Sequence, residues 1–432
     1  MTKSLTNSQL STRRVAGTID AGDVYLSRVA AGGGFAFFAG TAMDDTGALA
    51  ASALPGRHYR GSDSARARAE ASYLFQSVKD ALPAVGSSIA DVVQVEQYVR
   101  LKNHADGYFA AALEADLLGT GTANGATAQV GTFSPADASI SVNGLAVVPD
   151  TAGHPKTFPG AGGSPTGKFA DPVAAGPYLF TTMFAMDRKA EGLPVDVKVP
   201  GWSWNESEIR SETKWAIRQL EAKVAPLGAG LADVVDYTVF LADLGDLYEF
   251  DLLMRDAIVG RPGGHSTGAP ARTVMHLRGS ALPRREGAFG HDEGAARLEV
   301  QFRCLIPGRG THRVVHGAPS ADTGYQSAGV RAGSLLWLSS QCASDSALGD
   351  GAREIDDVLG QLEATCADAG TSLSQLLRAR VQVTDPKLVP EFFAALRRVV
   401  PAEPPAVSVV VTDALTVEGA SVAIDGVALV AS

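Results

Sequence analysis

One segment returns three times along this chain at a fixed interval. The copies are AVGSSIADVVQVEQYV from Ala84, PLGAGLADVVDYTVFL from Pro226 and DAGTSLSQLLRARVQV from Asp368. Their glycines Gly86, Gly228 and Gly370 align, and 228 − 86 and 370 − 228 both give 142. Solenoid repeats run to tens of residues. A period this long is the size of a whole domain, so the 432 residues divide into three similar units.

Each copy follows a helical pattern of apolar residues: Leu74, Val78 and Leu82; then Ile217, Leu220, Val224 and Leu227; then Ile355, Val358, Leu359, Leu362 and Cys366. Glycine closes each helix. Period-two alternation comes next, through Val93, Val95 and Val99, then Val235, Tyr237, Val239 and Leu241, then Leu377, Ala379, Val381 and Val383. A second helix follows from Asp106, Asp246 and Val389. Each unit opens on a hairpin (FAFFAG, YLFTTM, LLWLSS) and closes on a strand (SISVNGLAVV, ARLEVQFRCLI, SVAIDGVALV). The expected fold is α+β, with ββαβαβ units that each pack two helices on one face of a sheet. Pro/Gly-rich stretches from Pro149 and Pro307 separate the units, predicted at 1–150, 165–308 and 317–432.

The composition narrows the functions open to such a chain. Hydrophobic residues make up 45% and charged residues 19%, as in ordinary globular proteins. The net charge of −10 comes without any Lys/Arg-rich block, which argues against nucleic acid as a partner. No run of about 18 apolar residues occurs, and the first residues carry no signal-peptide pattern. A cytoplasmic protein off the membrane is expected. Cys304, Cys342 and Cys366 are odd in number and far apart, so they read as reduced, buried thiols.

The element order, with GYQSAGVRAGSLLWLSSQ from Gly324 and GAPARTVMHL from Gly268, resembles the RidA (YjgF-type) family of imine and enamine deaminases. That resemblance implies three chorismate-mutase-like repeats forming an intramolecular pseudo-trimer around a central β-barrel, with clefts at the repeat boundaries. It implies an arginine that grips a substrate carboxylate, carried over to Arg272, and a last-strand glutamate that positions water, carried over to Glu299. The corresponding positions are read as Gln129 and Ser141 in the first repeat, and Val407 and Ala423 in the third. One cleft is expected to retain both groups. Thr182, Val274, Tyr25, Tyr325 and Ser339 are the expected substrate-binding neighbours.

The chemistry fits independently of the family. A guanidinium holds a carboxylate through a planar, permanently charged fork, and a carboxylate orients water for attack on a C=N carbon. The expected function is cofactor-independent hydrolysis or deamination of an imine, enamine or related C–N bond in a small carboxylate. The alternatives are lyase, cyclisation or ring-opening chemistry on the same scaffold, or a non-catalytic metabolite-binding protein. No cofactor or metal is expected: His312 and His316 have helical metal spacing but lie in a Gly/Pro-bounded stretch. GTGTANG from Gly119 lacks the spacing of a dinucleotide loop and reads as a turn. Trp202 and Trp204 either cap the core or wall the cleft, and the insertion at 278–294 is a lid or a second contact surface. A monomer or a homodimer is expected.

Overall fold

The structure, a computed structural model, describes residues 12–118, 123–151, 153–160, 168–186, 193–199, 206–258, 268–278, 296–317 and 326–430. The first unit comprises β1 (Arg14–Ala21), β2 (Val24–Gly32), β3 (Phe35–Gly40), α1 (Asp63–Ala81), β4 (Val92–Val99), α2 (His104–Glu114), β5 (Asn124–Gln129), β6 (Thr132–Phe133) and β7 (Ile140–Val147). The second has β8 (Val173–Ala175), β9 (Tyr178–Phe184), α3 (Glu208–Val224), β10 (Val234–Leu241), α4 (Leu247–Ile258), β11 (Ala271–His276) and β12 (Leu298–Leu305). β13 (Arg313–His316) falls between the bounds expected for the second and third units and pairs with the third, which has β14 (Gly329–Ala332), β15 (Leu335–Cys342), α5 (Gly351–Asp368), β16 (Leu376–Val383), α6 (Leu388–Val399), β17 (Ala406–Val411) and β18 (Val422–Leu429).

The strand order is the same in each unit. The second reads β11-β10-β12-β9-β8, the first β5-β4-β7-β3-β2, and the third begins β17-β16-β18-β15-β14. Two strands joined through the second helix lie parallel at one edge, because a helical crossover returns the chain in its original direction. The first helices start where Ser62, Ser207 and Asp350 accept a backbone N–H three residues on, as N-caps do. Gly86, Gly228 and Gly370 then take φ of 81°, 71° and 78°, which glycine adopts without steric cost.

One buried carboxylate ties helix to sheet in all three units. Glu70 Oε2 accepts Ser139 N–H at 2.6 Å. Glu212 Oε2 accepts Arg297 N–H at 2.9 Å, and Glu354 Oε2 accepts Ser421 N–H at 2.6 Å. Each bond satisfies a backbone donor at the start of the last strand.

The helix-facing sides of the sheets are apolar. Their other sides carry charge where the units meet. Glu96 of β4 binds Arg303 of β12 at 2.9 Å and Arg380 of β16 at 2.7 Å. Arg303 also pairs with Asp236, while Asp425 takes Arg380 at 2.7 Å and Arg378 at 2.9 Å. Burial would raise the Glu96 carboxyl, but Arg380, Arg303 and Arg378 together outweigh it and hold it at about 2. Buried charges persist when paired and hydrogen-bonded in this way.

The seams between units share one contact. Ala170 N–H donates to Ala123 O at 3.0 Å, Ser327 N–H to Pro270 O at 3.3 Å and Ser27 N–H to Pro405 O at 2.9 Å. Each acceptor immediately precedes the parallel edge strand of its unit. The first unit thus abuts the second, the second the third, and the third the first.

Candidate functional site

Arg272 stands second on the edge strand β11, in register with Tyr237 of β10. The Tyr237 ring packs against Phe250 of α4, with centroids 6.2 Å apart, so Arg272 belongs to the helix-facing side. Asp251 waits there. Arg272 Nη1 donates to both Asp251 oxygens, Nε donates to Gln326 Oε1 at 3.0 Å, and the backbone N–H donates to Ser339 Oγ at 2.9 Å. Both side chains are buried, each about 6% exposed. A cavity of about 20 Å³ opens beside the guanidinium, room for about one water. Arg272 and Val274 line it from the second unit; Gln326, Ser340, Gln382, Thr416 and Ala423 line it from the third.

Glu299 is not part of this cavity, contrary to the expectation of one cleft with both groups. Glu299 pairs with Phe240, whose ring packs with Tyr98, Ala126 and Met275 on the far side of the sheet. Partners in register share a face and successive residues alternate. Arg272 and Glu299 therefore project from opposite faces of one sheet. Glu299 meets the first unit instead, where Thr127 N–H donates to it. Burial, and then the Glu96 charge, push its carboxyl up to about 8 against that bond. The position equivalent to Glu299 in the Arg272 cavity is Ala423, since Phe240↔Glu299 and Gln382↔Ala423 match across the period.

Register also corrects the first repeat. Gln94, Asp236 and Arg378 pair with Asn124, Ala271 and Ala406. One residue on, Gly125 and Val407 occupy the place of Arg272, and Gln129 does not. A Cβ at Gly125 would collide with the Phe169 ring, so an aromatic side chain of the second unit fills the volume an arginine would need. Ser141 does match Glu299, pairing with Tyr98.

Among the expected neighbours, Val274 lines the cavity, accepting Gln382 Nε2–H on its carbonyl at 3.1 Å. Ser339 touches Arg272 as described. Thr182 lies at the other seam, donating to Asn124 Oδ1 at 2.7 Å. Tyr25 is at the third seam, its hydroxyl donating to Val400 O at 2.8 Å and Arg397 over its ring at 4.8 Å. Tyr325, Trp202, Trp204 and the insertion from 279 to 294 lie outside the described residues. His316 ends strand β13, where four residues span about 13 Å, so helical spacing does not bring His312 to it. Among the described residues no group of three or more His, Cys, Asp or Glu could hold a metal ion, and no helix is long and apolar enough to cross a membrane.

Sequence reasoning passed over Asp251, Gln326, Gln382 and Thr416. Asp251 left a trace: it falls within the apolar stripe Leu247, Phe250, Met254 and Ile258 of α4, where an acid needs a partner. The three residues of the third unit left none, because only the seam gives them a role.

Residues 315–430 match the family described as Endoribonuclease L-PSP. The RidA-type resemblance thus has a family match over the third unit. Among solved structures, a YjgF/YER057c/UK114 family member from Mycobacterium tuberculosis is 28% identical, covering 28% of this chain and 100% of its own, with a TM-score of 0.26. RidA from the Antarctic bacterium Psychrobacter sp. is 26% identical over 26% of this chain and 94% of its own, at 0.24. A chorismatase aligns over 78% of this chain and 93% of its own at 12% identity, with a TM-score of 0.46. No curated protein matches.

Proposed function

We propose that this chain is a cofactor-independent enzyme acting on an imine, enamine or related C–N bond of a small carboxylate. Its one arginine-bearing cleft lies between the second and third units. The observation that carries the reading is Arg272: a buried guanidinium on an edge strand, lining a polar cavity walled by the neighbouring unit. A substrate carboxylate would meet the guanidinium from the cavity side, widening a seam that as it stands holds about one water, and would present its C=N carbon to water held by Gln326, Gln382, Ser340 and Thr416. We place the three units at 1–150, 165–308 and 317–432, closed on one another as an intramolecular trimer about a central barrel. The cyclic order of the seams supports this. RNA is not favoured as a substrate, given the net charge of −10.

The test is ammonia release from 2-imino acids generated in place by an amino-acid oxidase. The wild type is expected to exceed the spontaneous rate, and Arg272→Ala to lose about a hundredfold of that excess, as expected for a charge-assisted fork. A variant as active as wild type would remove Arg272 from this role. A second reading, a metabolite-binding protein without catalysis, draws on Ala423, which leaves no acid at the position Glu299 occupies elsewhere. Carboxylate binding that depends on Arg272 with no turnover would favour it.

A further inference from the structure

Asp251 is a carboxylate carried on the apolar face of α4, and both its oxygens accept from Arg272 Nη1. Arg272 lines the cavity; Asp251 is not among the residues that do. Stability alone is a weak reason to bury such a pair, since apolar residues of similar volume often serve as well or better. Its effect on a ligand is more specific. A carboxylate arriving at Arg272 shares that cation with a carboxylate already bound, in a buried setting where charge interactions are stronger than in water. Simple anions are opposed, and a positive charge beside the incoming carboxylate offsets the opposition.

Building on the Arg272 reading above, we infer that Asp251 is the positioning and specificity-determining residue of this cleft. It holds the guanidinium fork and selects carboxylates that carry a protonated nitrogen on the adjacent carbon over 2-oxo acids of the same skeleton. The selection has a consequence for turnover. A 2-iminium acid is a zwitterion without net charge; water adds to its C=N carbon, the C–N bond breaks, and the products are a 2-oxo carboxylate of charge −1 and an ammonium ion. Atoms and charge balance with water as the only co-reactant. The product is thus the species Asp251 opposes, so hydrolysis itself weakens the ligand's hold on the cleft.

The measurement is a calorimetric titration of the full chain with leucine and with 4-methyl-2-oxopentanoate, which share a carbon skeleton. Wild type is expected to bind leucine about tenfold more tightly, and Asp251→Asn, which keeps size and one acceptor oxygen, to shrink that ratio by about tenfold. Asp251→Glu should restore part of the preference. A wild type that binds the oxo acid as well as leucine overturns the inference, and this comparison needs no variant to fold. So does an unchanged ratio in a folded Asp251→Asn. If Arg272→Ala abolishes binding while the ratio ignores position 251, the inference fails and the arginine site survives. Failure of both ligands to bind wild type removes both.

Discussion

Glu299 is the residue whose environment departs furthest from what its place in the sequence suggested. Burial and the nearby Glu96 lift its carboxyl from an ordinary 4.5 to about 8. Through that window the folded chain holds a proton that the unfolded chain has released, so the contribution to stability is full below about pH 4.5 and fades as the pH rises through about 8. Glu299→Gln keeps the acceptor for Thr127 N–H and cannot ionise. Thermal melts should therefore nearly coincide with wild type near pH 4.5 and favour the variant by up to about 5 kcal/mol near pH 8.5. Parallel melts across that range would refute the burial account. Sequence reading picked out Arg272 from the PARTV phrase and Glu299 from ARLEV. Their separation was not legible, because which face each strand residue takes depends on a sheet order the two phrases do not encode.

The recurring elements were the most legible level. Apolar spacing marked the first helix of each unit, and alternation marked the central strands, because both follow from periodic burial on a single face. The buried glutamates Glu70, Glu212 and Glu354 also repeat at 142 residues. Three acids at one register are a sequence signal for a buried acceptor, easily hidden by the apolar pattern around them. Glu354→Ala should cost about 1–3 kcal/mol by leaving Ser421 N–H without its partner, measured by urea unfolding. A loss near zero would show that water replaces the carboxylate. The first-repeat register was harder to read: the segment from Asn124 to Gln129 contains no arginine to anchor an alignment, and Gly125 acquires meaning only from the Phe169 ring packed against it.

At the scale of the whole molecule, the buried cluster of Glu96, Asp236, Arg303, Arg378, Arg380 and Asp425 makes the three units mutually dependent. Glu96→Ala leaves Arg303 and Arg380 without their shared carboxylate and should cost about 3–5 kcal/mol. Calorimetry is expected to show a single transition at lower temperature, and an independent melt of one unit would contradict the dependence. The charges are also divided unevenly. The first unit supplies one acid, the second an acid and a base, the third two bases and an acid, or −1, 0 and +1. A recombination event that copied the third unit over the first would leave this centre at +2, and the reverse copy would leave it at −2. Uncompensated charge buried in this way is strongly destabilising, so the three parts are free to drift apart in function but not to be swapped.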